Sequence, residues 1–220
     1  LSFTPDAEFP LNHAEKGVFQ YQLVTDLKEN VVLAGGNAFN SVAESAYVLL
    51  EHSKEAQIQE KRPQWEEVTG CRFETEAADG NLKLTAYGFA AHAANPEGGK
   101  NAITAIMNAV SELGVGGELG EIAEFYMERI GFNLCGEHIG AGFEDEISGK
   151  LSFNVGKVEV TDGKLILSID NRVPVSYKCK EAQDSIVKNL EGTRFRFENP
   201  SITEGIYIPK ESFLVQTLMD

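Results

Sequence analysis

Ala86-Tyr87-Gly88-Phe89-Ala90-Ala91-His92-Ala93-Ala94-Asn95-Pro96-Glu97-Gly98-Gly99-Lys100-Asn101-Ala102 is the stretch on which the reading of this chain turns. It begins as a strand, passes a histidine set among small residues, and opens a helix through a Pro/Gly-rich turn. Small neighbours let another surface approach the His92 ring closely. A histidine that only fills a core more often has bulky apolar neighbours. Downstream, Ala102, Ile103, Ile106, Met107, Val110 and Leu113 share one face of a helix over 99–113, and Gly114 is its stop. Upstream, 71–75 and 82–87 flank Ala78-Asp79-Gly80-Asn81, a strong hairpin turn.

Working outward, 119–130 is a second helical pattern ended by Gly131, and 132–148 is a Gly-rich loop. Residues 151–160 and 164–173 alternate around Thr161-Asp162-Gly163 and form a second hairpin. A helix over 181–190 and a strand over 193–198 follow. From Leu82 onward, apart from the extra helix, the order is β-α-β-β-α-β, the ferredoxin-like arrangement. Before it, 17–27 alternates as a half-buried strand, and Val31-Val32-Leu33 is an apolar run ending at Gly35-Gly36. Residues 41–50 read as strand in preference to helix. Residues 55–68 are rich in helix formers, with Pro63 expected to break or start the helix. The fold class expected is α+β: two lobes with antiparallel sheets and helices on one face.

The 220 residues suffice for one large domain or two small ones with real cores. The 34 acidic residues against 19 basic give a net charge of −15, a surface that repels phosphate backbones and argues against a nucleic-acid partner. No apolar run approaches the roughly 20 residues of a membrane-spanning helix, so no membrane partner is expected. Cys71, Cys135 and Cys179 are odd in number and form no CxxC pair, a pattern that suits a reducing cytoplasm. They read as small, buried or half-buried residues. His13, His52, His92 and His138 show no metal-ligand spacing, and Gly114-Val115-Gly116-Gly117 lacks the Lys and Ser/Thr of a phosphate loop. The abrupt start at Leu1, and an end inside an amphipathic helical pattern over 212–220, suggest a piece of a longer chain.

The His92 segment resembles the lid histidine of metallopeptidase family 20, the dinuclear-zinc dipeptidases and aminoacylases. The resemblance is distributed along the chain. Phe3-Thr4-Pro5-Asp6-Ala7-Glu8-Phe9-Pro10 with Glu15-Lys16-Gly17 is similar to the junction of that family's catalytic domain with its lid. Gly35-Gly36-Asn37-Ala38-Phe39-Asn40-Ser41-Val42 is similar to its glycine-rich segment, although Ala43 departs from the proline common there. Leu167-Ser168-Ile169-Asp170-Asn171-Arg172-Val173-Pro174 is similar to its strand carrying a substrate-binding arginine. Gly136 with 143–151 is similar to the bacterial, monomeric PepV-type branch, and 205–212 is similar to the return strand and first helix of the catalytic domain.

What this resemblance implies is a lid domain contributing part of a zinc-dependent dipeptidase. Asp6 would be a zinc ligand; the residue alone is as readily a turn cap after Pro5. His92 would donate to the oxygen of the tetrahedral intermediate, where the alternative is a structural histidine. Asn40 would assist as an amide donor, where the alternative is a turn former. Arg172 would grip the substrate's terminal carboxylate, where the alternative is a solubilising residue on a strand. Two zinc ions would belong to the whole enzyme and none to this piece. The partners implied are a catalytic domain of the same chain and a dipeptide, in a cytoplasmic monomer. The implied division is 1–13 from the catalytic domain, lobes over 14–78 and 79–204, and a return over 205–220. A non-catalytic ferredoxin-like binding or oligomerisation module, and a carboxypeptidase or deacylase of the same superfamily, are the other readings.

Overall fold

The computed structural model describes residues 11–219. Its strands are β1 (Ala14–Glu15), β2 (Gly17–Asp26), β3 (Leu33–Gly35), β4 (Ser45–Glu51), β5 (Arg72–Ala78), β6 (Asn81–Tyr87), β7 (Glu144–Asp145), β8 (Gly149–Lys150), β9 (Ser152–Thr161), β10 (Lys164–Val173), β11 (Arg196–Thr203) and β12 (Ile206–Tyr207). Its helices are α1 (Glu55–Thr69), α2 (Ala102–Glu112), α3 (Gly117–Arg129), α4 (Cys179–Asn189) and α5 (Phe213–Met219).

Eight strands form one antiparallel sheet in the order β11-β2-β10-β9-β3-β4-β6-β5. Alternation explains its sidedness. In β4 and β6, Ala46, Val48, Leu50, Leu82, Leu84 and Ala86 are buried while their neighbours are not. Phe19, Tyr21 and Leu23 of β2 face the same core as Ile169 and Leu167 of β10, in direct register. Trp65 of α1, nearly all of α2, Tyr126 of α3 and Ile186 of α4 pack into that core, so the helices lie on one face. The class is α+β.

Membership of the two half-sheets differs from the sequence expectation. The expected boundary at 78/79 falls in the Asp79-Gly80 turn of the β5–β6 hairpin, so strands on both sides of it share one sheet. The ferredoxin-like set expected to start at β6 starts instead at β2, which lies between β11 and β10. The reason is register. All ten residues of β2 pair with all ten of β10, whereas β6 is held by seven pairs each to β4 and β5. Alternation marks a strand's faces but not its partners. The halves β11-β2-β10-β9 and β3-β4-β6-β5 meet at a single pair, Gly35 with Val158.

Local signals hold closely. Asp79 and Gly80, and Asp162 and Gly163, all take positive φ, as two-residue hairpin turns require. Pro63, however, neither breaks nor starts α1, which runs unbroken from Glu55 to Thr69. Pro63 and Gln59 are exposed, so the carbonyl left without a donor faces water. Ile58 and Trp65 anchor the helix on either side, with the Trp65 indole donating to Glu112 at 3.0 Å. At the C-terminal end, α5 buries only Val215 and leaves Phe213, Leu214 and Leu218 exposed. Among the described residues no helix is long and apolar enough to cross a membrane.

Candidate functional site

Two loops meet where the half-sheets join. The first runs from Phe89 to Lys100, and these two residues close its neck through reciprocal backbone hydrogen bonds of 3.0 and 2.8 Å. It leads into α2, whose N-cap is Asn101: the side-chain oxygen accepts from the Ile103 and Thr104 amides at 2.9 and 3.3 Å. The second loop, between β3 and β4, carries Asn40. Ser41 pairs with His92 as an antiparallel bridge. Around it the Val42 amide donates to Ala91 O at 2.8 Å, and the Ala93 amide donates to Asn40 O at 3.0 Å. The structure therefore brings Asn40 and His92 onto adjoining backbone segments, both exposed.

The orientation of the His92 ring is informative. The Ala94 amide donates to Nδ1 at 3.1 Å, so Nδ1 presents its lone pair. In the neutral imidazole the proton then sits on Nε2, which makes that nitrogen the ring's donor.

Strand β9 supports both loops. Ser152 Oγ donates to Ala93 O at 2.9 Å. Asn154 Nδ2 donates to Phe39 O at 2.9 Å and to Ser41 O at 3.0 Å, the carbonyls on either side of Asn40. The approach is close because of two glycines. Gly36 has φ +67°, and a Cβ there would collide with Gly156 O, while a Cβ on Gly156 would collide with the Ala38 and Phe39 carbonyls.

Arg172 lies on β10, directly opposite Ser152, and Asp170 lies opposite Asn154. Strand alternation places all four side chains on the face away from the helices. Arg172 Nε donates to Asp170 Oδ1 at 2.7 Å and Nη2 to Oδ2 at 3.2 Å. Gln20 Nε2 donates to Asp170 Oδ2 at 2.6 Å. The Asp170 side chain is fully buried, and that of Arg172 is 15% exposed. A guanidinium carries five donors in a planar fork. One edge holds Asp170, and among the described residues no other acceptor takes Nη1 or the second Nη2 hydrogen.

Asp6 lies outside the described residues. Among the described residues no three His, Cys, Asp or Glu side chains gather as a metal site would require. His13 lies beside the ribbon of β1 against β12, where Nδ1 lies 3.0 Å from Ile208 O; His52 is exposed beside Glu55, and His138 is exposed in a short 3-10 turn. Cys71 and Cys179 are buried, and burial pushes both thiols up, Cys179 to about 11 with Glu204 adding to the effect. Lys16 is pulled down by burial, against the opposing charges of Asp145, Cys135 and Glu97. A cavity of about 230 Å³ lies behind the His92 loop, between Pro96, Thr104, Tyr126, Phe132 and Phe153.

Asp170, Gln20, Ser152 and Asn154 were not singled out by sequence reasoning. The Asp-x-Arg spacing is the one sequence signal that could have pointed to Asp170, since residues two apart on a strand share a face.

No family model matches the chain. The "Putative dipeptidase YtjP" of Bacillus subtilis is 27% identical over 227 residues, covering 99% of this chain and 48% of that protein. A "Putative dipeptidase" of Staphylococcus epidermidis is 28% identical over 234 residues, covering 100% of this chain and 49% of that protein. The chain is thus related along its whole length to proteins named as dipeptidases, and it spans about half the length of these relatives. Among solved structures, the aminoacylhistidine dipeptidase of Vibrio alginolyticus aligns over 93% of this chain and 47% of its own, with 9% identity and a TM-score of 0.38, a likeness too loose to argue from.

Proposed function

We propose that the chain is the lid of a zinc-dependent dipeptidase of metallopeptidase family 20, acting with a catalytic domain elsewhere in the same polypeptide. The observation that carries this reading is the pairing of the His92 and Asn40 segments, with the Ala94 amide on Nδ1 of the exposed His92 ring, which leaves Nε2 as its donor nitrogen. Two exposed donors on one rigid seam suit a developing oxyanion. Arg172 supports the dipeptide specificity. Its inner edge is spent on Asp170, and its outer edge is free for the substrate's terminal carboxylate, which limits the length of peptide accepted.

The described residues do not themselves fit a metal, so Asp6 and residues outside this chain would hold the two zinc ions. The work assigned to this chain is to bind, orient and stabilise charge. The related dipeptidase-named proteins support a peptidase. The ribbon in which β1 pairs with β12 supports a domain inserted in another, because it holds Ala14 and Tyr207 side by side. The enzyme is proposed to be cytoplasmic and monomeric.

The test is hydrolysis of dipeptides by the full-length protein, with and without a chelator, and of matched dipeptide amides. Chelator-sensitive hydrolysis of the acids and poor hydrolysis of the amides are expected. Arg172→Ala should raise KM strongly for the acids and much less for the amides, and Arg172→Lys should restore only part. Equal losses on acid and amide would remove Arg172 from the carboxylate. An inert full-length protein would remove the enzyme reading.

A further inference from the structure

We infer that Asn154 is the positioning residue that sets Asn40 and His92 relative to Arg172, an inference that rests on the proposed dipeptidase reading. The two candidate oxyanion donors belong to loops of one half-sheet, and the candidate carboxylate clamp belongs to the other. Backbone pairing joins the halves at one residue pair only. Side chains span the remainder: Ser152 Oγ on Ala93 O, Asn101 Nδ2 on Val155 O at 2.9 Å, and Asn154, which alone of the three reaches the Asn40 loop. Its Nδ2 holds the carbonyls on both sides of Asn40, at 2.9 and 3.0 Å. Its backbone pairs with Asp170, whose carboxylate orients Arg172.

Asn154 is 2% exposed, so its amide hydrogens have no water to fall back on. The Asn40 segment in turn fixes His92 through the Ser41–His92 bridge. Two residues away on the same face, Ser152 secures Ala93 O, but it touches only the His92 loop. Asn154 is the side chain that grips the Asn40 loop from the Arg172 half.

A carboxamide suits this place because one NH2 group supplies two donors to two carbonyls. Aspartate would offer only acceptors, and alanine none. Loss of the grip leaves the Arg172–Asp170–Gln20 cluster intact while the Asn40 and His92 donors drift. A displacement near 1 Å at a reacting centre can lower the rate by about 10²-fold.

The test compares wild type, Asn154→Ala, Asn154→Ser and Asn108→Ala in the full-length protein, measuring kcat and KM on a free dipeptide. Asn108 is also a buried asparagine, on α2, and its Nδ2 has no partner among the described residues, so it controls for losing any buried amide. Asn154→Ala is expected to lower kcat by about 10–100-fold with KM changed less than about 3-fold. Asn154→Ser, which keeps one donor, should fall between. Asn108→Ala should stay near wild type. Equal losses in Asn154→Ala and Asn108→Ala, or a loss confined to KM, would overturn the inference.

A second measurement does not depend on activity: amide hydrogen exchange at Val42 and Ala93, the donors that tie the two loops together. In Asn154→Ser, which is less disruptive should the alanine variant not fold, faster exchange at these amides with unchanged protection in β2 and β10 supports the inference. Unchanged exchange there refutes it. If the wild-type protein hydrolyses no dipeptide, the enzyme reading falls, and the exchange result still decides whether Asn154 holds the loops.

Discussion

Removing Arg172 should do more than remove a candidate substrate contact. Its guanidinium is the cationic partner of Asp170, whose side chain is fully buried. In Arg172→Ala that carboxylate keeps only the neutral Gln20 amide at 2.6 Å. At a separation near 4 Å and an effective dielectric of about 20, the lost attraction is about 4 kcal/mol. Breaking a buried pair by deleting one partner typically costs about 3–5 kcal/mol, because the other charge is stranded. The expected loss for Arg172→Ala is therefore about 3–5 kcal/mol. Changing Asp170 to Asn as well neutralises the stranded group, and the double variant should lose only about 1–3 kcal/mol, the range for hydrogen bonds removed at a buried site. Urea denaturation at pH 7 of the four proteins in this cycle gives the numbers directly. The reasoning is refuted if Arg172→Ala loses under about 1 kcal/mol, or if the double variant is less stable than Arg172→Ala. It also bears on kinetics: Arg172 variants need a stability check before KM is assigned to binding.

Three further outcomes are expected. If the proposed function holds, His92→Ala in the full-length protein should lower kcat by about 10²–10³, the usual loss for one oxyanion donor, with any bound metal, read by atomic absorption, unchanged; a folded variant that loses metal would make His92 a ligand instead. Gly156→Ala should destabilise by about 1–3 kcal/mol, since its Cβ meets the Ala38 and Phe39 carbonyls, and thermal unfolding showing no loss would mean the Asn40 loop yields freely. Burial pushes the Asp145 carboxyl up, but hydrogen bonds from the Ser148 and Ser176 amides and the Ser148 hydroxyl together hold it at about 2, below its ordinary 3.8. A depressed carboxylate contributes stability that is complete above the unfolded value and lost as pH falls through the folded one. Stability should decline between pH 3.8 and about 2, and Asp145→Asn should flatten that decline; denaturant midpoints across the range check it.

The parts of the fold legible in the sequence are those written locally. Asp79-Gly80 and Asp162-Gly163 announced both long hairpins because positive φ at two successive positions demands such residues. Gly114 and Gly131 marked helix ends, and the alanine-lined His92 marked a loop that another segment approaches. Pairings far apart along the chain were not legible. That β2 rather than β6 lies beside β10 depends on matching ten pairs across about 150 residues, and period-2 alternation is blind to it. Pro63 misled because the local rule counts only the lost N–H and the ring's crowding of the preceding turn, whereas α1 is held on both sides of it by the buried Ile58 and Trp65. At the site, His92, Asn40 and Arg172 could be singled out through family likeness. Asp170, Ser152 and Asn154 could not, since a polar residue on a strand betrays its role only when the facing loop is known.

The ribbon of β1 against β12 has a thermodynamic consequence. Ala14 pairs with Tyr207 and Glu15 with Ile206, and the Ile208 amide donates to His13 O at 2.8 Å. Adjacent strands lie about 5 Å apart. To any polypeptide joined at both ends, everything from Ala14 to Tyr207 therefore presents itself as a gap of about one strand spacing. An unstructured insert of that length would charge its host an entropy of closure that grows as the logarithm of its size. Were the domain inserted in a host as proposed, that closure would already be made by the domain's own folding, and the host would be spared it. Elongating or shortening loops within the domain should for the same reason leave the host's stability untouched as long as the ribbon stays paired.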